Sequence, residues 1–173
     1  MHHGRRDRVT LCDSFLIPET TDMLKNLDPL LHADILHTLR AMGHGDEIAI
    51  CDANFPAESV AEHTVVGRAL RVDGADSARV VRAVLSVLPL DTFVDTPAWR
   101  MEVVGDAAAV PPVQREVQAE IDRAEGRAVP LTGVERFAFY ERAQQAYAVI
   151  VTGETRGYGC FIFKKGVLLS DAG

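Results

Sequence analysis

Cysteine is scarce in this chain of 173 residues: Cys12, Cys51 and Cys160, an odd number with no CxxC spacing. That argues against a disulfide framework and for a reducing, cytoplasmic compartment. Basic residues are thin, with 18 Lys and Arg against 25 Asp and Glu and a net charge of -7. No basic stripe exists to neutralise phosphates, so nucleic acid is not an expected partner. No apolar run reaches the ~20 residues that span a bilayer, so no membrane is expected either. GxxxxGK[ST], GxGxxG after a strand, HExxH and GxSxG are all missing. Their absence removes both phosphate cradles, the zinc-protease helix and the hydrolase elbow. His32 and His37 are poorly spaced for one helical face, so no metal site is read. Elimination leaves cofactor-free chemistry on a small substrate.

What remains has the balance of an ordinary folded domain, 47% hydrophobic and 25% charged. The length suits one domain with a substantial core. Residues 1–22 lack the long apolar stretch of a secretory signal, and composition changes at Met23. We therefore read 1–22 as an extension of unknown role and 23–173 as a single domain. Asp28-Pro29 starts a helix whose apolar positions are Leu31, Ile35, Leu39 and Met42, with Gly43 ending it. Glu47–Cys51 is a short buried strand, broken by Asn54-Phe55-Pro56. Further strands are read at 65–72, 99–104, 147–152 and 160–164. Helices are read from Asp76 or Ser77 to Leu88, from Pro111-Pro112 to about Glu125, and over 136–146. The alternation predicts an α/β fold, a three-layer sandwich whose central, largely parallel sheet is flanked by helices.

The stretch MGHGDEIAICDANFP, residues 42–56, sets a histidine between two glycines and an aspartate after an apolar strand. His44 carries the side chain best suited to give and take protons near neutral pH. The alternative is a surface histidine whose charge suits a helix C-terminus. Asp52 sits where a strand ends, and ligands of α/β sheets bind beyond the carboxyl ends of strands. It either holds sugar hydroxyls and orients the histidine, or it forms an Asx-turn. On the binding reading, both residues face one sugar at the carboxyl edge of the sheet. Arg136 stands at a helix start, where a positive charge opposes the dipole. A residue breaking a local rule is a functional candidate; otherwise it pairs with Glu135, Glu141 or water. Tyr158, in the loop GYG, either touches a sugar or covers the edge of the core. Tyr140 and Tyr147 read as packing, and Glu154 as a turn residue.

GHGDEI at 43–48, DANFP at 52–56, ERFAFYERAQ at 135–144, AVIVTGE at 148–154 and YGCFIFKKGV at 158–167 together resemble the L-fucose mutarotase and D-ribose pyranase family, on its fucose branch. The resemblance runs from Met23 to about Val167. It implies interconversion of the anomers of L-fucose or a related monosaccharide, without metal or cofactor. It also implies a homo-oligomer of pentameric rings, often paired as decamers, with sites near subunit contacts. Matched position by position, the catalytic histidine falls on His44. The substrate-binding residues fall on Asp52, Arg136, Tyr158, Gly159 and Cys160. Asn54 and Cys160 depart from the histidine and asparagine of many bacterial members, and the stretch from about Ala107 to Pro130 also diverges. A ribose-type pyranase and a non-catalytic sugar-binding protein of the same fold are the alternatives.

Overall fold

A computed structural model describes residues 24–169; the extension 1–22 lies outside them. Eleven elements follow in chain order: α1 Ala33–Ala41, β1 Glu47–Cys51, α2 Ala57–Ala61, β2 Leu70–Val72, α3 Ser77–Leu85, β3 Ala98–Met101, α4 Pro112–Glu125, β4 Leu131–Val134, α5 Arg136–Gln144, β5 Ala148–Thr152 and β6 Phe161–Lys164. One six-stranded sheet has the order β2-β5-β1-β6-β3-β4. The pairs β1–β5, β2–β5 and β3–β4 are parallel. Only β6, set between β1 and β3, runs antiparallel to its neighbours.

Side chains alternate across a strand with period two, and the sheet is apolar on both faces. Ile48 and Ile50 pack on one face with Ile35 and Leu39 of α1, Val80 and Val84 of α3, and Val117 and Ile121 of α4. Ala49 and Cys51 pack on the other with Val60 of α2 and Phe139 and Ala143 of α5. The fold is therefore the expected three-layer sandwich. Among the described residues no helix is long and apolar enough to cross a membrane.

Several expected boundaries move for identifiable reasons. Helix α1 begins at Ala33 because Asp28 caps a preceding turn, accepting from the Leu30 amide at 3.0 Å. It does not end on a left-handed Gly43. Lys165 donates to the carbonyls of Leu39 and Met42 instead, a cation satisfying a helix C-terminus. Strand β2 is reduced to Leu70–Val72. The helix α2 and the edge strand β4 are additional to the elements read from sequence.

Glu47 ties three elements together. It accepts two bonds from Arg142 of α5, at 2.8 and 2.7 Å, and pairs with Lys164 of β6 at 2.9 Å. The Arg142 guanidinium also lies 3.4 Å over the Trp99 ring. Burial pushes the Glu47 carboxyl up, but the Arg142 and Lys164 partners outweigh it and leave it below its ordinary value. A lowered folded pKa adds stability above the unfolded pKa of about 4.3, and this is lost as pH falls through the folded value. Glu47→Gln is thus expected to melt lower than wild type at neutral pH. The gap in melting temperature should close on acidification below about pH 4; a gap constant across that range would show the pairing contributes nothing.

Candidate active site

Residues 42–46 form a tight corner. The Gly43 amide donates to the Asp46 carboxylate at 2.6 Å, and Gly45 takes the left-handed φ of 86° that glycine tolerates. The corner is anchored to the far end of β6, where the Gly45 amide donates to the Lys165 carbonyl at 2.8 Å. It turns out the His44 side chain, 44% exposed, with Nε2 at 3.2 Å from the buried Asp91 carboxylate. Asp91 is itself fixed, because Oδ1 accepts from the Phe93 amide at 3.0 Å. That amide and the His44 ring hold the Asp91 carboxyl below its ordinary range, against burial. An ionised Asp91 accepts a hydrogen bond from Nε2–H, which in the neutral ring leaves Nδ1 as the nitrogen without a proton. Phe93 meets the ring edge-on at 5.5 Å. The histidine is therefore an oriented one, and Asp91 is a partner that sequence reasoning missed.

Asp52 follows the last residue of β1 and is buried. Oδ1 accepts from the Asn54 amide at 3.0 Å, which realises the Asx-turn. Oδ2 accepts from the Gly159 amide at 3.1 Å and the Cys160 thiol at 3.3 Å. The carboxylate thus pins the 158–160 loop to the strand end. Gly159 has no room for a side chain, since a Cβ would meet the Glu154 side chain at 2.9 Å and Ser77 Oγ at 3.2 Å. Cys160 is buried with its thiol against Asp52 and Cys51, and that burial raises its pKa well above the ordinary thiol value. Its side chain supports the aspartate.

Tyr158 adopts φ 64°, a left-handed backbone unusual for a tyrosine, and its phenol oxygen accepts from the Val104 amide at 3.3 Å. Arg136 opens α5, whose N-cap Glu135 accepts from the amides of Phe137 and Ala138 and offsets the positive charge. Among the described residues Arg136 makes no ion pair. Its buried Nε has no hydrogen-bond partner there. Arg136 lines a cavity of about 380 Å³ with residues 102–107, the loop that also touches Tyr158. One helical turn on, Tyr140 packs against the Cys51, Phe55 and Cys160 cluster. Burial raises its phenol pKa, with Arg136 pulling the other way, so it remains a proton donor at neutral pH. Tyr140 packs, as read from sequence, and its i+4 spacing puts it on the same helical face as Arg136.

Asp52, Arg136, Tyr140, Tyr158, Gly159 and Cys160 thus gather around one end of β1. His44 is not with them. It precedes β1 while Asp52 follows it, and five strand residues of about 3.3 Å each separate the two ends by roughly 17 Å. The expectation that both face one sugar at the carboxyl edge is corrected for a single chain.

The chain is thus an α/β protein with an oriented histidine at one edge of its sheet and a carboxylate-pinned loop at the other. The family model for the RbsD / FucU transport protein family matches residues 25–168, and the chain belongs to that family. It is 44% identical over 148 residues to the human fucose mutarotase, covering 84% of this chain and 94% of that protein. The crystal structure of protein Atu2016 is 58% identical, covers 86% of this chain and 99% of its own, and superposes with a TM-score of 0.84. The fucose mutarotase of Streptococcus pneumoniae, crystallised with L-fucose, is 36% identical with a TM-score of 0.76, covering 84% of this chain and all of that one (100%).

Asp52→Ala leaves the Gly159 amide and the Cys160 thiol without their acceptor. A buried donor left unpaired costs about 1–3 kcal/mol. The variant is expected to unfold at lower urea and to exchange the Gly159 amide hydrogen faster. Unchanged exchange at Gly159 would show that the loop does not depend on the carboxylate.

Proposed function

We propose that this chain is an isomerase, a monosaccharide mutarotase that interconverts the α and β anomers of L-fucose or a closely related sugar. The observation that carries the reading is the likeness to fucose mutarotases over nearly their whole length, one of them crystallised with L-fucose. The site geometry supports it. Ring opening removes a proton from the anomeric hydroxyl, delivers one to the ring oxygen, and breaks the bond between C1 and that oxygen. Rotation about C1–C2 and closure with the proton flow reversed give the other anomer, with no net change in protons. His44 acts at one of these oxygens through Nδ1, while Asp91 keeps Nε2–H in place. Arg136 donates from its free Nε, and the Tyr140 and Tyr158 phenols fix the remaining hydroxyls. Asp52 acts chiefly by holding Tyr158 and Gly159 in position.

A single chain separates these halves, so the complete site draws His44 and Asp91 from one copy and the Asp52 group from another. Beside His44, Phe93 is 65% exposed and Val94 39%, apolar surface suited to an interface between copies. The assembly we propose is the pentameric ring, paired as a decamer, in a cytoplasmic setting.

Saturation-transfer NMR of L-fucose tests both parts. Wild type should accelerate anomeric exchange, and His44→Ala should lose it by about 10²-fold or more. Tyr140→Phe should fall between them. Arg136→Ala alone should also be poor. Co-refolded with His44→Ala, it should recover exchange at up to about a quarter of sites, the share in which random pairing unites two intact halves. No recovery would confine the site to one chain. No acceleration by wild type on L-fucose, ribose or other aldoses would leave a sugar-binding protein.

A further inference from the structure

Three consecutive carbonyls of the candidate sugar loop each accept a hydrogen bond from a different element. Gln114 Nε2 of α4 donates to Tyr158 O at 3.0 Å. Ser77 Oγ of α3 donates to Gly159 O at 2.9 Å, and the Met101 amide of β3 donates to Cys160 O at 3.1 Å. Gln114 is the hub. It is fully buried, at 0% exposure, and its amide is hydrogen-bonded at both ends. Nε2 donates also to Met101 O at 2.8 Å, and Oε1 accepts from Arg100 Nη1 at 3.1 Å. Two carbonyls on one side and a guanidinium on the other allow only one orientation of the amide. Arg100 continues the chain, donating to Ala107 O and Ala109 O at 3.1 and 3.2 Å.

A left-handed backbone is disfavoured for a tyrosine, and such residues persist where their surroundings over-determine them. Tyr158 is so determined: its carbonyl is bound by Gln114, and its phenol by the Val104 amide of the loop that Arg100 ties down. We propose that Gln114 is a positioning residue for sugar choice. It does not touch the sugar. It fixes the direction of the Tyr158 phenol and the height of the 102–109 loop above Arg136. Discrimination between sugars is then set partly from the first turn of α4. The inference rests on the mutarotase reading for its substrate, while the clamp itself does not.

Gln114→Glu keeps the side-chain shape and the partner for Arg100 but removes both donated bonds. Gln114→Met removes all three. One hydrogen bond of about 1.4 kcal/mol corresponds to a tenfold effect. Hydrogen–deuterium exchange of peptides spanning 156–162 should therefore quicken about 10-fold in Gln114→Glu, with exchange in β1 and β5 unchanged. The KM for the preferred sugar, from exchange rates over a concentration series, should rise about 10-fold. Its kcat should change less, and the ranking of L-fucose against other aldoses should narrow. A lower melting temperature with unchanged KM and ranking would make Gln114 merely structural and overturn the proposal. Unchanged loop exchange in both variants would overturn the clamp. A wild type that binds and exchanges none of the sugars would sink the mutarotase reading and the sugar-choice half of this one; the loop exchange would still decide the clamp.

Discussion

The carboxylate of Asp52 joins segments 107 residues apart in sequence, and the candidate site is arranged around that junction. One oxygen closes the turn after β1 and the other takes the Gly159 amide and the Cys160 thiol. Charge-assisted bonds of this kind are about twice as strong as neutral ones, and burial removes competing water. Most of the carboxylate's capacity is spent inside the protein. Its contribution to a bound sugar is therefore largely indirect, through the loop it locates. The same geometry explains how a cysteine serves at position 160. The side chain there faces Asp52 and Cys51 in the core, so a weak donor suffices.

Strand β6 connects this junction to the opposite edge. Because it runs antiparallel to β1, its beginning lies beside Asp52 and its end beside the corner that carries His44. The Lys164 carbonyl accepts from the Asp91 amide at 3.1 Å and the Lys165 carbonyl from the Gly45 amide at 2.8 Å. One short strand thus locates both halves and fixes their separation. A rigid sheet cannot bend to bring the halves together. A second copy can, since symmetric assembly sets one edge of a subunit against a different edge of its neighbour. On the proposed assembly, the separation within one chain becomes a spacing between copies.

Much of the fold could be read from residues that obey local rules. The continuous apolar runs in EIAIC and AVIVT, Asp76 capping α3, and Pro112 opening α4 each specify their element without help from the rest. The antiparallel direction of β6 could not be read, because an apolar strand looks the same in either direction. Helix α2 was hidden behind Pro56, which reads as a break but here stands just before the first helical residue. Strand β4, with the sequence LTGV, pairs only at the sheet edge and is only partly buried, so it lacks an apolar signature. In the site, His44, Asp52, Arg136 and Tyr158 stood out because each sits at a corner, a strand end, a helix start or a glycine loop. Asp91 did not, because it follows Pro89-Leu90 as an ordinary loop residue and gains its meaning only when β6 brings it to His44. Tyr140, read as packing, does pack against its aromatic neighbours Phe55 and Phe137.

The distribution of buried polar groups argues that this edge is built for recognition. Asp52, Ser77, Arg100, Gln114, Thr152 and Glu154 are all buried, and all bond to the 153–160 loop or to a residue that does. An apolar filling of the same volume would often be as stable or more so, because desolvating polar groups offsets much of what their bonds return. What a saturated polar network supplies instead is a single geometry. For a ligand that presents several hydroxyls in a fixed stereochemical order, donors and acceptors must already stand in that order, since ordering them on binding would cost affinity. Outside this network, and among the described residues, the Arg136 Nε is the one buried side-chain polar atom without a hydrogen-bond partner.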